Sequence, residues 1–350
     1  MPLQSYAEVV DSLRKKKRQK HLLLGNGFSM AYDAKIFSYN ALNSFIERLD
    51  NDILSRLFAI VNSKNFEAIM QQLETLKELA RAFGADAAFL KRIENASKEL
   101  RDSFLEALKE LHPEHVFTVP EAKSRACAAF LKEYLSNEGL VFTTNYDILL
   151  YWVLMRNKVE NAIDGFGREV ESEGDFVPDE DLQFSELQWG KHKDEQTIFY
   201  VHGALPLFDT GVEIVKEVYS QDSYLLENIK KRIEKKEYPV FVTAGTGKDK
   251  LTHIMHNRYL SHCYERLSAI EGSLVTFGFN FGEYDSHIIE AINAAAKHGR
   301  KAGDKLHSVY IGVYSDASTK HISAIKDRFK CKVNLFDSKT ASVWSSSQKQ

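Results

Sequence analysis

Short apolar segments with the character of buried strands recur along this chain and are separated by segments with the composition of helices. They are centred near residues 22, 140, 198, 241, 275, 310 and 334. Strands that alternate with helices are typical of parallel sheets, because two parallel neighbours must be joined by a crossover that usually contains a helix. The sequence therefore predicts an α/β fold with a doubly wound, mostly parallel, Rossmann-like sheet.

One long region carries no strand signal. Residues 40–112 are rich in Leu, Ala, Glu, Lys and Arg at helical spacing, which predicts an insertion of several helices. The Rossmann-like domain would then consist of residues 1–39 and 113–340, and residues 341–350 would form a polar tail. The end of the chain after Ser338 is expected to be frayed. Apolar residues of the insertion are expected in the core, with an oligomer interface as the alternative. They begin with Leu73, Leu76, Leu79, Ala80 and Phe83.

Three other segments interrupt the alternation. Residues 158–195 are acidic and predict a long irregular surface excursion, and residues 204–218 predict a short β excursion. The segment A-G-T-G-K at 244–248 suggests a P-loop. That motif is rejected, because Val242 stands where it needs glycine and Asp249 where it needs Ser or Thr.

Composition limits the classes of function. The chain is 44% hydrophobic and 27% charged, which is ordinary for a globular protein. A formal net charge of −3 does not favour direct sequence-specific binding of nucleic acid, whose readers are basic. The cysteines Cys127, Cys263 and Cys331 form no C-x-x-C pair, so neither a zinc ribbon nor a disulfide framework is predicted. No apolar run reaches the ~20 residues of a membrane helix, and a cytoplasmic setting is expected.

A glycine-rich turn follows the first predicted strand. Gly25–Ser29 reads G-N-G-F-S and leads into a segment compatible with a helix. Such a turn lets the backbone approach a phosphate at the start of the helix. The fingerprint G-x-G-x-x-G is incomplete, because Met30 occupies its third glycine position. A tight turn without a ligand is the alternative.

Polar residues follow other predicted strands as well. Thr143–Asp147 reads T-T-N-Y-D, His202-Gly203 follows the strand near 198, and Gly278–Asn280 follows the strand near 275. Carboxyl ends of parallel strands lie along one edge of a sheet, where ligands bind. This convergence favours a nucleotide site. The simpler alternative is that Asn145 and Asp147 only cap the next helix. Two further segments are predicted at the same edge, residues 245–248 and 314–316.

The order of these motifs resembles that of a sirtuin-like domain, and more closely that of bacterial sirtuin-like proteins linked to anti-phage defence and NAD depletion. The shared elements are G-N-G-F-S, T-T-N-Y-D, H-G, and then G-F-N-F-G with Asp285 beyond it. The resemblance covers most of residues 20–340 outside the helical insertion. It implies a Rossmann-type NAD pocket and an NAD+ hydrolase (NAD+ glycohydrolase) that releases nicotinamide and ADP-ribose.

The resemblance also implies roles for single residues. Asn145 and Asp147 would lie at the nicotinamide and its ribose, and His202 would be the general base. Deacylase sirtuins carry a four-cysteine zinc module that three scattered cysteines cannot make, so no metal is expected and NAD+ is expected as substrate. The residues expected to bind NAD+ are Gly25, Asn26, Gly27, Phe28, Ser29, Thr144, Gly278, Asn280 and Asp285.

Two other functions stay open. One is an NAD- or nucleotide-binding sensor or scaffold subunit without turnover, and the other is an NAD-dependent deacylase or ADP-ribosyltransferase. Defence proteins of the resembled kind are commonly silent until triggered, as oligomers or beside a partner such as a HerA-like ATPase or an Argonaute. The resemblance therefore implies a homo-oligomer and a separate activating partner of one of these types.

Overall fold

The structure of the chain is a computed structural model that describes residues 3–35, 56–57, 59–60, 66–169, 185–219, 223–242, 246–297 and 305–345. Its larger sheet has seven strands, all parallel to their neighbours. They are β1 (Gln4–Ser5), β2 (Lys20–Leu24), β3 (Val141–Thr143), β6 (Ile198–Tyr200), β10 (Gly272–Phe277), β11 (Leu306–Val313) and β12 (Lys332–Asp337). Their order in space is β1-β12-β11-β10-β2-β3-β6. The predicted α/β fold with a doubly wound parallel sheet is confirmed.

Helices connect and cover these strands. Buried apolar runs such as Leu22–Leu24 form the strands, and every residue of β2, β3, β6 and β10 is buried, as expected for a sheet with helices on both faces. The described helices are α1 (Tyr6–Lys15), α2 (Asn26–Tyr32), α3 (Phe66–Ala82), α4 (Ala87–Leu111), α5 (Glu121–Leu135), α6 (Leu149–Arg156), α7 (Leu225–Glu234), α8 (Gly247–His256), α9 (Arg258–Leu267), α10 (Ser286–Lys297) and α11 (Asp316–Ile325).

A second, antiparallel sheet lies between β3 and β10 in the sequence. Its strands are β4 (Phe166–Gly167), β5 (Leu187–Trp189), β7 (Gly203–Asp209), β8 (Ile214–Lys216) and β9 (Pro239–Phe241), in the order β4-β5-β8-β7-β9. The predicted β excursion at 204–218 is confirmed by β7 and β8. The acidic segment at 158–195 contains β4 and β5, and its residues 170–184 lie outside the described part of the chain.

The strand near 241 was expected in the parallel sheet, and this prediction is wrong. It is β9, which pairs antiparallel with β7. The cause lies at Gly203, where φ is +76° and the chain reverses after β6. A Cβ at Gly203 would stand 1.8 Å from the carbonyl oxygen of Val240, so only glycine lets the two backbones come this close. Residues 245–248, predicted at the carboxyl edge of the parallel sheet, therefore follow an antiparallel strand; a Cβ at Gly247 would stand 1.9 Å from Oγ of Ser286, and Gly245 is outside the described residues.

Helices α3 and α4 form a hairpin that confirms helical structure for the described part of the insertion. Leu73 and Ala80 of the predicted apolar stripe are buried. Leu76, Leu79 and Phe83 are 40%, 51% and 87% exposed, so the prediction that they lie in the core is wrong. At about 100° per residue, Ala80 lies about 20° from Leu73 around the axis of α3, whereas Leu76, Phe83 and Leu79 lie about 60°, 80° and 120° away, toward solvent. Residues 40–55 lie outside the described residues.

The tail from Ser338 was expected to fray, and up to residue 345 this prediction is wrong. Ser338–Thr340 forms a 3₁₀-helix, and Val343 and Trp344 are buried. The indole N–H of Trp344 donates to the carbonyl oxygen of Phe28 at 2.8 Å, and the two rings lie 5.0 Å apart. Two apolar residues in a polar segment are thus enough to dock it on α2.

Helices of the described segments are too short or too polar to cross a membrane.

Candidate functional site

The order in which the chain adds strands to the parallel sheet reverses between β2 and β10. From β2 the chain adds β3 and β6 on one side, and it then returns to add β10, β11 and β12 on the other. In sheets of this kind the crevice beside the carboxyl ends of such strands is the usual ligand position. The segments at this point are Gly25–Ser29, which leads from β2 into α2, and Gly278–Phe281 after β10; Gly25–Ser29 and Gly278–Asn280 were predicted from sequence to belong to the site.

These two loops contact each other directly. The N–H of Gly27 donates to the carbonyl oxygen of Gly278 at 2.8 Å, and the N–H of Gly25 donates to that of Phe277 at 3.0 Å. Gly278 has a φ of +71°, and a Cβ there would lie 2.4 Å from the nitrogen of Phe28. Close packing of the loops therefore requires glycine whether or not a ligand binds, and this explains the G-x-G pattern without a phosphate.

Ser29, Asn145 and Asp147 form a buried hydrogen-bonded cluster at the ends of β2 and β3. The Ser29 hydroxyl donates to Oδ2 of Asp147 at 2.5 Å. The side-chain amide of Asn145 donates to the same hydroxyl oxygen at 2.8 Å. The amide oxygen of Asn145 makes no hydrogen bond with the described residues, which leaves it available to a ligand. The structure thus joins three residues that sequence placed in two separate motifs.

Asp147 also caps the following helix, as its simpler interpretation held. Its Oδ1 accepts the backbone N–H of Leu149 at 2.9 Å, at the start of α6. Burial raises the pKa of Asp147 to about 6, against the hydrogen bonds from Ser29 and Leu149, which favour the charged form. A carboxyl group that titrates near neutral pH is common in catalytic sites, although capping alone would also place it here.

His202 follows β6 and pairs with a second histidine. Its Nε2 lies 2.8 Å from Nε2 of His287, the second residue of α10, and the rings are stacked with 5.0 Å between their centres. The side chains are 3% and 0% exposed. Burial, with the charges of neighbouring groups, holds the pKa of His202 well below its usual value. Burial and the ammonium of Lys250 lower the pKa of His287 to about 4, and Asp285 acts in the opposite direction.

Asp285, predicted to bind NAD+, forms an ion pair. Its Oδ1 accepts from the ammonium of Lys250 on α8 at 2.8 Å, and Lys250 is buried. The same two charges are those that act on His287. A charged pair and a histidine pair therefore lie side by side at this edge of the sheet.

A family model described as Domain of unknown function (DUF4917) matches residues 22–344. The chain belongs to this family. A comparison with curated proteins yields no match. The matched range begins in β2 and ends at Trp344, so it contains every residue predicted here for the site.

The remaining predicted residues of this family member have varied surroundings. Thr144 donates its hydroxyl to the carbonyl oxygen of Leu24 at 3.3 Å. Asn26 is the first residue of α2, and its amide contacts the sulfur of Met30 at 3.2 Å. Phe28 is 1% exposed, with its ring in the core. Asn280 is exposed on the loop after β10.

Sequence reasoning missed His287, Lys250 and His112. His112 ends the helical hairpin: its Nδ1–H donates to the carbonyl oxygen of Pro113 at 2.9 Å, and its Nε2 accepts the N–H of Ile148 at 3.3 Å. The insertion is thereby tied to the residue after Asp147. His287 lies two residues after Asp285, a predicted site residue, and this proximity in the sequence was the one indication that His287 belongs to the site. No local pattern marks a contact between residues so distant in the chain.

No three His, Cys, Asp or Glu side chains come together as a metal site among the residues described. His253 and His256 lie in the last turn of α8, and His256 is exposed. Cys127 and Cys263 are buried free thiols in α5 and α9, and Cys331 is a partly buried free thiol.

Proposed function

We propose that this protein is an NAD+ hydrolase that cleaves the bond between nicotinamide and ribose to give nicotinamide and ADP-ribose. The observation that carries the proposal is the buried cluster of Ser29, Asn145 and Asp147 at the carboxyl edge of β2 and β3, beside the point where the strand order reverses. The order of motifs, which resembles that of sirtuin-like proteins, supports NAD+ as the ligand.

Asp147 would stabilise the charge that develops in this reaction. Loss of neutral nicotinamide leaves positive charge on the ribose, and a fixed buried carboxylate favours such a transition state. With a pKa of about 6, the carboxyl group is mainly ionised at pH 7 and above. Its hydrogen bonds to Ser29 and to the start of α6 hold it in place, so little reorganisation is needed as the charge forms.

Asn145 would position a water molecule or a ribose hydroxyl. An amide neither gains nor loses a proton at neutral pH, so its part is orientation. The nitrogen of the Asn145 amide is held by Ser29, and its oxygen accepts no hydrogen bond from the described residues. Correct placement of an attacking group accounts for a large share of enzymatic rate enhancement.

His202 would accept a proton from the attacking water or from a ribose hydroxyl. Burial keeps its imidazole neutral at pH 7, so a lone pair is present. A general base of this kind contributes roughly 10²–10⁴-fold to a rate.

The test is incubation of the purified protein with NAD+, with nicotinamide and ADP-ribose followed by chromatography. We expect wild type to release both products and Asn145→Ala and His202→Ala to release neither, while circular dichroism shows that both variants keep the fold. His256→Ala is the matched control, because His256 is exposed at the end of α8. Turnover retained in both site variants would refute the assignment.

Binding of NAD+ or a related nucleotide without turnover is the second candidate. It is favoured by the burial of His202 and by the partner already bound at its Nε2. A titration by calorimetry separates the two candidates. Saturable binding of NAD+ without release of nicotinamide, even at NAD+ concentrations far above the dissociation constant, would favour binding without turnover.

The biological role is proposed from the resemblance alone: a regulated, NAD-depleting effector of bacterial anti-phage defence. Cellular NAD+ measured after infection, with Asn145→Ala as control, tests it. A fall in NAD+ that the variant abolishes is expected, and equal NAD+ in both strains contradicts the role.

A further inference from the structure

We propose that His287 is a positioning residue for His202. It would accept the Nε2–H of His202, so that Nδ1 is the nitrogen that presents its lone pair to the substrate. The proposal rests on the proposed function for its substrate, and on the geometry of the two histidines for its chemistry.

The distance between the two nitrogens requires a shared proton. Two imidazole nitrogens 2.8 Å apart would repel if both carried lone pairs or both carried protons. One Nε2–H must therefore donate to the other Nε2. In the proposed direction His202 donates its Nε2–H, and the nitrogen of His202 left to receive a proton from a hydroxyl is Nδ1; in the opposite direction His202 would carry its proton on Nδ1 and could not act as a base there.

His287 makes one polar contact with its ring, and that contact is His202. Its Nδ1 is buried and has no hydrogen-bond partner within the described part of the chain. A buried ring nitrogen without a partner lowers stability. An aromatic hydrocarbon ring would fill the same space without that loss. Packing therefore does not account for a histidine at this position, whereas the bond to His202 does.

The surroundings keep His287 able to accept. It is fully buried, and Lys250 opposes its protonation, so its pKa of about 4 leaves the ring neutral at pH 7. Asp285, paired with Lys250 at 2.8 Å, raises the pKa of His287 by less than Lys250 lowers it. His253 is the other titratable group whose charge acts on the pair, through His202. A neutral acceptor can hold the Nε2–H of His202 before the reaction and after His202 becomes an imidazolium.

The place of the pair in the fold also suits this role. His202 follows β6 and His287 follows β10, and in the sheet these strands are separated by β2 and β3. Their contact therefore joins both sides of the edge at which Ser29, Asn145 and Asp147 lie.

The proton transfer balances as a single step. The O–H bond of a water or ribose hydroxyl breaks, its electron pair stays on oxygen, and the proton forms a bond to Nδ1 of His202. The Nε2–H of His202 stays bonded to Nε2 of His287, which spreads the new positive charge.

Two variants of His287 test the inference by activity. In His287→Phe the ring volume stays and the acceptor is lost, so we expect kcat to fall about 10²-fold, with KM little changed. The melting temperature should change little, because the unpaired Nδ1 of His287 is removed while the Nε2–H of His202 loses its acceptor. In His287→Gln the side-chain oxygen can reach the same place, and we expect kcat within about tenfold of wild type. Full kcat in His287→Phe would overturn the proposal, as would a loss of activity that follows the melting temperature in both variants.

A second measurement separates this inference from the proposed function. Long-range proton–nitrogen correlation spectra of protein labelled with ¹⁵N-histidine report which ring nitrogen carries the proton, and His202 is assigned by its loss in His202→Ala. We expect the Nε2–H form of His202 in wild type and a changed distribution in His287→Phe. The Nδ1–H form in wild type would overturn the inference, even if the protein cleaves NAD+. The Nε2–H form in a protein that never cleaves NAD+ supports the pairing and refutes the proposed hydrolase.

Discussion

The buried carboxyl group of Asp147 should make the stability of this protein fall between acid and neutral pH. Its pKa rises from 3.8 in a solvated chain to about 6 in the folded protein, chiefly because of burial. The folded state therefore binds this proton more tightly than the unfolded chain does. Stability from this group is fully present below pH 3.8 and is lost as the pH rises through 6.

The size of the effect follows from the shift. A shift of roughly two pKa units at 1.36 kcal/mol each gives about 3 kcal/mol in total, of which about 2.5 kcal/mol falls between pH 4 and pH 8. Asp147→Asn has no proton to lose and should lack this dependence. The free energy of unfolding of the variant, minus that of wild type, should therefore rise by about 2.5 kcal/mol from pH 4 to pH 8.

Urea unfolding of both proteins at unit steps from pH 4 to pH 8 measures this difference. Any constant effect of rearranged hydrogen bonds at residue 147 cancels, and so do the contributions of the buried histidines, which both proteins share. Asp194→Asn, which changes an exposed side chain, is the matched control and should show no such rise. A difference that stays level across the range would refute the reasoning, and a difference that falls would mean that the site stabilises the ionised form.

Three further predictions follow from other contacts. Ser29→Ala removes a hydrogen bond to the Asp147 carboxylate, so it should raise the pKa of Asp147 further and move the fall of stability to higher pH in the same urea series. Trp344→Ala should lower the free energy of unfolding by about 3–5 kcal/mol through loss of a buried ring, whereas Trp344→Phe should cost far less; equal losses in denaturant titrations would contradict the docked tail. Gly203→Ala should destabilise by about 3 kcal/mol or more, because a positive φ and a clash with the facing backbone coincide there. Gly211→Ala, at φ +84° with open space around it, is its control, and similar unfolding midpoints for the two would show that the close approach at Gly203 is unimportant.

The larger sheet was accessible from sequence because its strands are short runs of buried apolar residues. Leu22–Leu24 and Leu274-Val275 contain no polar side chain and are therefore expected to be buried, as they are. The helices between the strands show the spacing of amphipathic segments. The direction of β9 was not accessible. Pro239–Phe241 is as apolar as a parallel strand, and its pairing depends on a reversal at Gly203, 36 residues earlier.

The cluster of Ser29, Asn145 and Asp147 could be predicted from sequence, because these residues come soon after strands. Ser29, Asn145 and Asp147 each end a strand motif, and parallel strands bring such ends together. His287 could not be assigned a partner from sequence, since its contact is with a residue 85 positions away on another loop. Trp344 was hidden by the polar residues around it, which dominate the composition of that segment.

The bond between Trp344 and Phe28 joins residues 316 positions apart. During synthesis at about 5–20 residues per second, some 15–60 s pass between the appearance of the two partners. During that time the ring of Phe28 lacks its contact with Trp344. The edge strand β1 remains without its pairing partner β12 for a similar time. Until β12 and Trp344 have been made, Phe28 lacks one of its aromatic neighbours, so docking of the last segment on α2 is a late step in the folding of the nascent chain.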